Sequence, residues 1–377
     1  MPIKIAVPKE HAPGEKRVAL DPSVCARFAK MGLEVLLEKE AGSAAQFPDN
    51  AYADARIVND AKSLLGEADV VVKVAPPSAD EVKKMREGAV LLGFFHAHKN
   101  LDMVKALQAK KITAFAMELV PRISRAQSMD ALSSQAAIGG YKAAIMGADL
   151  ACRFFPMLTT AAGTIRPSKV IIIGAGVAGL QAIATARRLG AMVEAYDVRS
   201  ATKEQVESLG AKFLDLGVSA EGEGGYAREL TAEEKQQQQD ALAKYIGQAD
   251  VLITTAAIPG RDAPKLIPQS MVDGMKPGAV IIDLAAEGGG NCELTQPGKT
   301  ITHGHVVIHG PLNVPSQVAL HASEMYAKNL LNFLTPVIKE GALALDWEDE
   351  VIAKSCLTHE GQIKHEATRS LIEGAQS

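Results

Sequence analysis

Short apolar runs alternate with helical patterns along the first third of the chain. The runs predict strands at Ile3–Val7, Glu34–Glu38, Val70–Val74, Ala89–Phe95 and Ile112–Leu119. Between them, the patterns predict helices after the Asp21-Pro22 cap, at Asp49–Ala55, at Ser78–Arg86 and at Leu101–Lys110. Strands that alternate with helices form βαβ units, so we expect a mostly parallel sheet.

The alternation resumes after a polar loop at Pro121–Asp130. Long helices are predicted at about Leu132–Phe154 and Gln317–Phe333, and we interpret both as crossings between domains. Further strands are predicted at Val170–Ile173, Met192–Tyr196, Val251–Thr254 and Ala279–Leu284. The pattern predicts an α/β protein of two Rossmann-like, doubly wound parallel-sheet domains that are joined by long crossing helices. The expected domains are 1–131 with 318–377, which is discontinuous, and 132–317.

A glycine turn follows the first strand of the second domain and is typical of dinucleotide-binding sites. Gly174 permits the tight turn, Gly176 lets the backbone approach a pyrophosphate, and Gly179 lets helix and strand pack closely. The next strand ends on Asp197, where a carboxylate accepts from the adenosine ribose hydroxyls and disfavours a 2′-phosphate. Asp197 therefore favours NAD over NADP, although Arg199 nearby is a residue type that accommodates a 2′-phosphate.

Composition narrows the classes of partner. The net charge of -4 argues against nucleic acid as the main partner. The four cysteines form neither a CxxC pair nor a Cys/His cluster, which indicates free thiols in a reducing compartment and no metal site. The N-terminus lacks the apolar segment of a signal peptide, and the sequence has no uninterrupted apolar run of about 18 residues. We therefore expect no direct insertion into a membrane.

Two groups of polar residues are candidates for the chemistry. Arg17, Lys73 and His96 lie at strand ends, where they could clamp a carboxylate, polarise a carbonyl and move a proton, as an amino-acid dehydrogenase requires. Residues of these types also form ordinary ion pairs. The second group, Pro121–Asp130 with Ser133-Ser134-Gln135, offers donors and acceptors for a nicotinamide and its ribose. Its alternative is a polar interdomain linker, and both interpretations remain open on the residues alone.

Five segments carry a resemblance to a known family: PRISRAQSMDALSSQ, GAGVAGLQAIATARRLGA, TKEQVESLGAKF, VLITTAAIPGRDAPKLI and IIDLAAEGGGNCE. Together they resemble the NAD(H)-binding component, domain I, of the proton-translocating nicotinamide nucleotide transhydrogenase. The resemblance runs along almost the whole chain, and PRISRAQSMD is its most specific segment. That family is itself similar to alanine dehydrogenase, in which the first group of residues would be catalytic.

The resemblance implies a site in the cleft between the two domains. Arg122, Gln127, Asp130 and Ser133 would be the catalytic residues, of which Arg122 and Ser133 orient the carboxamide and Gln127 lies nearest the ring. The implied NAD(H)-binding residues are Arg122, Gln127, Ser128, Met129, Asp130, Ser133, Gly174, Gly176, Val177, Gly179, Asp197, Val198, Arg199, Gly225, Tyr226 and Ala257. Gly225-Tyr226 corresponds to a mobile loop that folds over the nucleotide.

The resemblance also implies a function and partners. NADH would pass hydride directly, with Si/Re specificity, to NADP+ on a separate NADP(H)-binding domain III, and a membrane domain II would translocate protons. We expect a homodimer in the cytoplasm, associated with the inner membrane through these partners. The alternatives are an alanine dehydrogenase and a non-catalytic NAD-binding module. Glu287 stands where alanine dehydrogenases carry an Asp, which disfavours the amino-acid reaction.

Overall fold

Two compact units make up the protein. The computed structural model describes residues 2–218, 230–257, 262–339 and 341–374. The first unit comprises Met1–Gln135 and Ser316–Ser377, and the second comprises Ala136–Pro315. The chain therefore leaves the first unit once and returns to it.

Strands and helices alternate along most of the chain. The described strands are β1 (Lys4–Val7), β2 (Glu34–Glu38), β3 (Ala55–Val58), β4 (Val70–Val72), β5 (Val90–Gly93), β6 (Thr113–Ala116), β7 (Leu158–Thr160), β8 (Gly163–Ile165), β9 (Lys169–Ile173), β10 (Met192–Tyr196), β11 (Lys212–Phe213), β12 (Val251–Thr254), β13 (Val280–Asp283), β14 (Thr300–His303), β15 (Val306–His309), β16 (Ile338–Lys339), β17 (Ala342–Leu343), β18 (Cys356–His359) and β19 (Gln362–Ile363). The described α-helices are α1 (Pro22–Lys30), α2 (Ala61–Glu67), α3 (Ala79–Lys84), α4 (Leu101–Ala109), α5 (Ala131–Leu150), α6 (Val177–Arg188), α7 (Lys203–Ser208), α8 (Ala232–Ile246), α9 (Gln269–Asp273), α10 (Ala319–Leu334), α11 (Glu350–Ser355) and α12 (Glu366–Gly374).

The first unit is built on an eight-stranded sheet of order β19-β18-β6-β5-β4-β1-β2-β3. Strands β1 to β6 pair in parallel, whereas β18 and β19 add an antiparallel edge. Apolar side chains fill both faces: Phe28 of α1 and Leu330 of α10 lie in one core cluster, and Leu64 of α2 and Leu107 of α4 lie in the other. A parallel sheet needs this cover on both faces, because both of its faces are apolar.

The second unit contains a seven-stranded sheet of order β11-β10-β9-β12-β13-β15-β14. Only β14, at one edge, is antiparallel to its neighbour. Ile183 of α6 packs in the cluster on one face, and Leu242 of α8 packs in the cluster on the other. Both units are thus doubly wound, and the predicted α/β class with two parallel-dominated sheets is confirmed.

Several predicted bounds differ from the structure. The segment Asp49–Ala55 is not a helix, since it has one 3-10 turn at Asp49–Ala51 and then enters β3. Pairing with β2 draws Ala55 into the sheet, and such tertiary pairing overrides local propensity. Helix α5 ends at Leu150 rather than Phe154, because Pro156 disfavours helical backbone just before it. The last predicted strand of the first sheet ends at Ala116 and continues as a 3-10 turn.

The structure also contains elements that the pattern did not indicate. The hairpin β7–β8 stands apart from both large sheets, and the strands β18 and β19 come from the short, mixed C-terminal tail. Helix α10 lies wholly within the first unit, which the chain re-enters at Ser316. Across the described ranges, every helix falls short of the length and apolarity that a membrane span needs.

Candidate functional site

The glycine turn connects β9 to α6 in the second unit. Gly174 has a φ of +96°, which favours glycine, and a Cβ there would come within 2.5 Å of the Thr255 hydroxyl. A Cβ on Gly179 would overlap the carbonyl oxygen of Gly174, so helix and turn pack too closely for any side chain. Gly176, the N-cap of α6, faces open space apart from one guanidinium nitrogen of Arg199 at 3.9 Å. A ligand can therefore approach the backbone at Gly176, where the helix N-terminus favours an anion.

Asp197 lies beside this turn at the end of β10, and it is 7% exposed. Its Oδ2 accepts from the backbone N–H of Ala175 at 2.7 Å. Arg199 donates to the same carboxylate three times, through its backbone N–H (2.9 Å), Nε (2.8 Å) and Nη2 (2.6 Å). These four donors match the roughly four acceptor positions of a carboxylate. Asp197 and Arg199 therefore form one preformed unit at the turn, and Val198 between them packs partly into the core.

The loop after β12 is tied to the turn by buried side chains that sequence reasoning missed. Thr255 donates its hydroxyl to the carbonyl of Gly174 at 3.1 Å. Asn291, fully buried, accepts from the N–H of Ala256 (3.0 Å) and donates to the carbonyls of Ala256 (2.8 Å) and Pro264 (2.9 Å). These contacts hold the backbone just before Ala257, which is exposed. The available signal was an amide that follows three glycines, next to an apolar strand.

Four of the predicted site residues line a single cavity of about 250 Å³ in the first unit. Its walls are Pro121, Arg122, Ile123, Ala126, Gln127, Asp130 and Ser133. Gln127 projects from a 3-10 segment, Ser124–Met129, and Asp130 accepts from the N–H (2.8 Å) and hydroxyl (2.6 Å) of Ser133. Gln127 is exposed and Arg122 is at least half-buried no more than its neighbours, so both polar groups are available at the mouth of the cavity.

Other predicted residues lie elsewhere. Ser128 and Met129 do not line this cavity: Ser128 turns its carbonyl to α10, and Met129 packs against the core. Val177 is an exposed residue at the start of α6. Gly225 and Tyr226 lie outside the described residues.

The alternative group of Arg17, Lys73 and His96 is engaged by groups of the chain itself. Arg17 donates to Glu15 through Nε (2.8 Å) and Nη2 (2.6 Å). Lys73, only 2% exposed, contacts Glu81 at 2.7 Å and Glu10 at 3.1 Å. Burial by itself lowers the pKa of Lys73, but the two carboxylates outweigh it and raise that pKa.

His96 contributes a different kind of contact. It is exposed, has a φ of 45°, and its ring stacks on Phe94 with a centroid distance of 6.1 Å. Its backbone N–H donates to Glu118 at 2.7 Å. The contacts of His96 are thus local and structural.

Comparison with known proteins identifies the family. The alanine dehydrogenase/PNT N-terminal domain matches residues 6–139, and the C-terminal domain of the same family matches residues 143–366. An alpha subunit of NAD(P) transhydrogenase from Rhodospirillum rubrum is 52% identical over 97% of this chain and 98% of its own length.

Two solved structures are similar over nearly the full length. The transhydrogenase from Sinorhizobium meliloti is 43% identical with a TM-score of 0.85, covering 97% of this chain and 99% of its own. An L-alanine dehydrogenase is 27% identical with a TM-score of 0.83, covering 99% of each chain. The chain belongs to the alanine dehydrogenase/PNT family, in which it matches the alpha subunits of NAD(P) transhydrogenase.

Proposed function

We propose that this chain is the NAD(H)-binding subunit of a proton-translocating transhydrogenase. It presents NADH for direct, Si/Re-specific hydride transfer to NADP+ on an NADP(H)-binding domain III, in a complex whose membrane domain II translocates protons. It is active only with that partner. The single observation that carries the proposal is the cavity in which Arg122, Gln127, Asp130 and Ser133 meet.

The second unit fits the adenosine and phosphate end of NAD(H). The open approach to Gly176 and the N-terminus of α6 suit a pyrophosphate, and Asp197 suits the hydroxyls of a ribose. The buried carboxylate disfavours a 2′-phosphate, which supports NAD over NADP. We take residues 132–317 as the NAD-binding domain, and 1–131 with 318–377 as the N-terminal Rossmann-like domain.

The first-unit cavity suits the nicotinamide end. Arg122 and Ser133 supply donors for a carboxamide, and Gln127 extends from the opposite segment. When bound, NADH supplies the hydride itself. Transfer between two nicotinamides moves no proton at the reacting carbons, so the chain needs to orient the ring and exclude water. Neither a histidine nor a lysine occurs among the described residues that line this cavity, which accords with that need.

The amino-acid dehydrogenase alternative has weaker support. Its two cations, Arg17 and Lys73, are already paired with carboxylates of the chain. Glu287, in place of the expected Asp, accepts from the backbone N–H of Asn313 at 2.5 Å. A substrate carboxylate would have to compete with these contacts.

We also propose a homodimer that associates peripherally with the membrane through its partners. The hairpin β7–β8 supports self-association because its surroundings expose large apolar side chains: Met157 is 64% exposed, Phe154 is 53% and Ile165 is 47%. Exposed apolar patches of this kind mark interaction sites. A second copy of the chain is the occupant that we assign to it.

One assay separates the candidate functions. The protein is mixed with NADH and offered either pyruvate with ammonia, or a separately produced NADP(H)-binding domain III loaded with NADP+. We expect oxidation of NADH only with domain III. Turnover with pyruvate and ammonia alone would reject the transhydrogenase proposal, and NADH binding without turnover in either mixture would favour the non-catalytic module.

A further inference from the structure

Two amides of α10 hold the loop that carries Gln127. The carbonyl of Ser128 accepts from Nδ2 of Asn329 at 2.9 Å and from Nδ2 of Asn332 at 3.1 Å. The two asparagines are three residues apart, so they lie on the same face of the helix. A carbonyl oxygen has two lone pairs, and here both are filled. The backbone immediately after Gln127 is therefore fixed to α10.

Asn329 also holds the opposite side of the cavity. Its Oδ1 accepts from the hydroxyl of Ser134 at 2.7 Å, in the first turn of α5 and next to Ser133. The side chain of Asn329 is buried, with the residue 6% exposed. One amide thus bridges the two segments that line the cavity, the 3-10 segment that carries Gln127 and the helix turn that carries Ser133.

A buried chain of hydrogen bonds supports this bridge from behind. Gln135 donates through Nε2 to the Ser134 hydroxyl at 3.2 Å, which leaves the hydroxyl hydrogen to point at Asn329. Oε1 of Gln135 accepts from Arg17 at 2.9 Å, and Arg17 is itself clamped by Glu15. Because each group in this chain has its complementary partner, the amide of Asn329 has a single favourable orientation.

We propose that Asn329 is a positioning residue that sets the spacing between Gln127 and Ser133, and so fixes the orientation of the nicotinamide ring. Arg17 acts in the same chain as a support for Gln135, rather than as a clamp for a substrate carboxylate. The proposal rests on the proposed function for the identity of the ring, but it does not depend on which molecule accepts the hydride.

The test measures binding to the full chain, without a partner. NADH and 5′-AMP are titrated against the wild type, Asn329→Ala, and the control Lys328→Ala, which changes an exposed neighbour on the same helix. We expect Asn329→Ala to weaken NADH by about five- to tenfold, the equivalent of one net hydrogen bond, while AMP changes little. The fluorescence anisotropy of the bound nicotinamide should also fall. Lys328→Ala should match the wild type in both titrations.

Asn329→Asp gives a second, pH-dependent signature. An ionised carboxylate can accept from Ser134 but cannot donate to the carbonyl of Ser128. Burial raises the pKa of such a carboxyl group, and its protonation restores a donor. The affinity of this variant for NADH should therefore recover as the pH is lowered, whereas the affinity of Asn329→Ala should show no such recovery.

An unchanged ratio of NADH to AMP affinity in folded Asn329→Ala would overturn the proposal. Thermal unfolding reports whether that variant folds. If it does not, Asn332→Ala carries the test, since it removes the other donor from a half-buried position, and an unchanged ratio there would be equally fatal. A wild type that binds NADH but transfers no hydride to NADP+ would reject the proposed function alone. A wild type that binds no NADH would reject both.

Discussion

Asn291 offers a demanding test of how the glycine turn is supported. The perturbation is Asn291→Ala, which removes a fully buried amide from the loop after β12. Three hydrogen bonds disappear, those to the N–H and carbonyl of Ala256 and to the carbonyl of Pro264. The same loop reaches Gly174 through the hydroxyl of Thr255, so a change at Asn291 extends to the turn.

The size of the effect follows from these three contacts. Each net hydrogen bond contributes about 1 kcal/mol, and a buried group left unpaired costs about 1–3 kcal/mol. Ala256 is only half-buried, so water can reach its backbone and offset some of the loss. We therefore expect the free energy of unfolding to fall by about 2–4 kcal/mol. The affinity for AMP should fall about tenfold, a loss of about 1.4 kcal/mol.

Urea unfolding and AMP titration check the two numbers separately. The matched control is Asn50→Ala, which removes an exposed asparagine and should change the unfolding free energy by less than about 0.5 kcal/mol. If Asn291→Ala were as stable as this control and bound AMP normally, the amide would not be supporting the loop.

Three further predictions concern the rest of the site and its surroundings. A hydrogen bond from Arg125 lowers the pKa of Asp349, so this pair stabilises the fold above the ordinary carboxyl pKa of about 4 and loses that contribution as the pH falls. Both side chains are partly exposed, so Asp349→Asn should remove less than about 1 kcal/mol of acid-sensitive stability in urea titrations at stepped pH. Met157→Asp should convert a dimer to a monomer in sedimentation equilibrium, and an unchanged mass would remove the hairpin from the interface. Gln127→Asn should leave the NADH dissociation constant nearly unchanged but slow transfer to NADP+ by about tenfold or more through misalignment, and lost binding with normal transfer at saturation would contradict this role.

The glycine turn could be located from the sequence because its requirements are local. The positive φ of Gly174 and the close packing at Gly179 concern contacts within a few residues, or with the adjacent strand. Alternating apolar runs likewise predicted both sheets, since each strand is buried on both faces. The family segment around Gln127 identified the cavity residues before any geometry was known.

The supports of the site could not be found in this way. Asn329 and Ser128 are separated by 201 positions, and Asn291 and Ala256 by 35, so their pairing appears only after folding. The hairpin β7–β8 could not be predicted because all six of its strand residues are exposed, which leaves no alternation of apolar and polar positions.

The crowded carboxylate of Asp197 makes nucleotide docking a substitution instead of a simple addition. Its four acceptor positions already hold Ala175 and Arg199, so a ribose hydroxyl can enter only by displacing one of these donors. The enthalpy gained there is a difference between two bonds, and it is correspondingly small. A guanidinium displaced from Asp197 would stand near Gly176, where its charge is opposite in sign to that of a pyrophosphate.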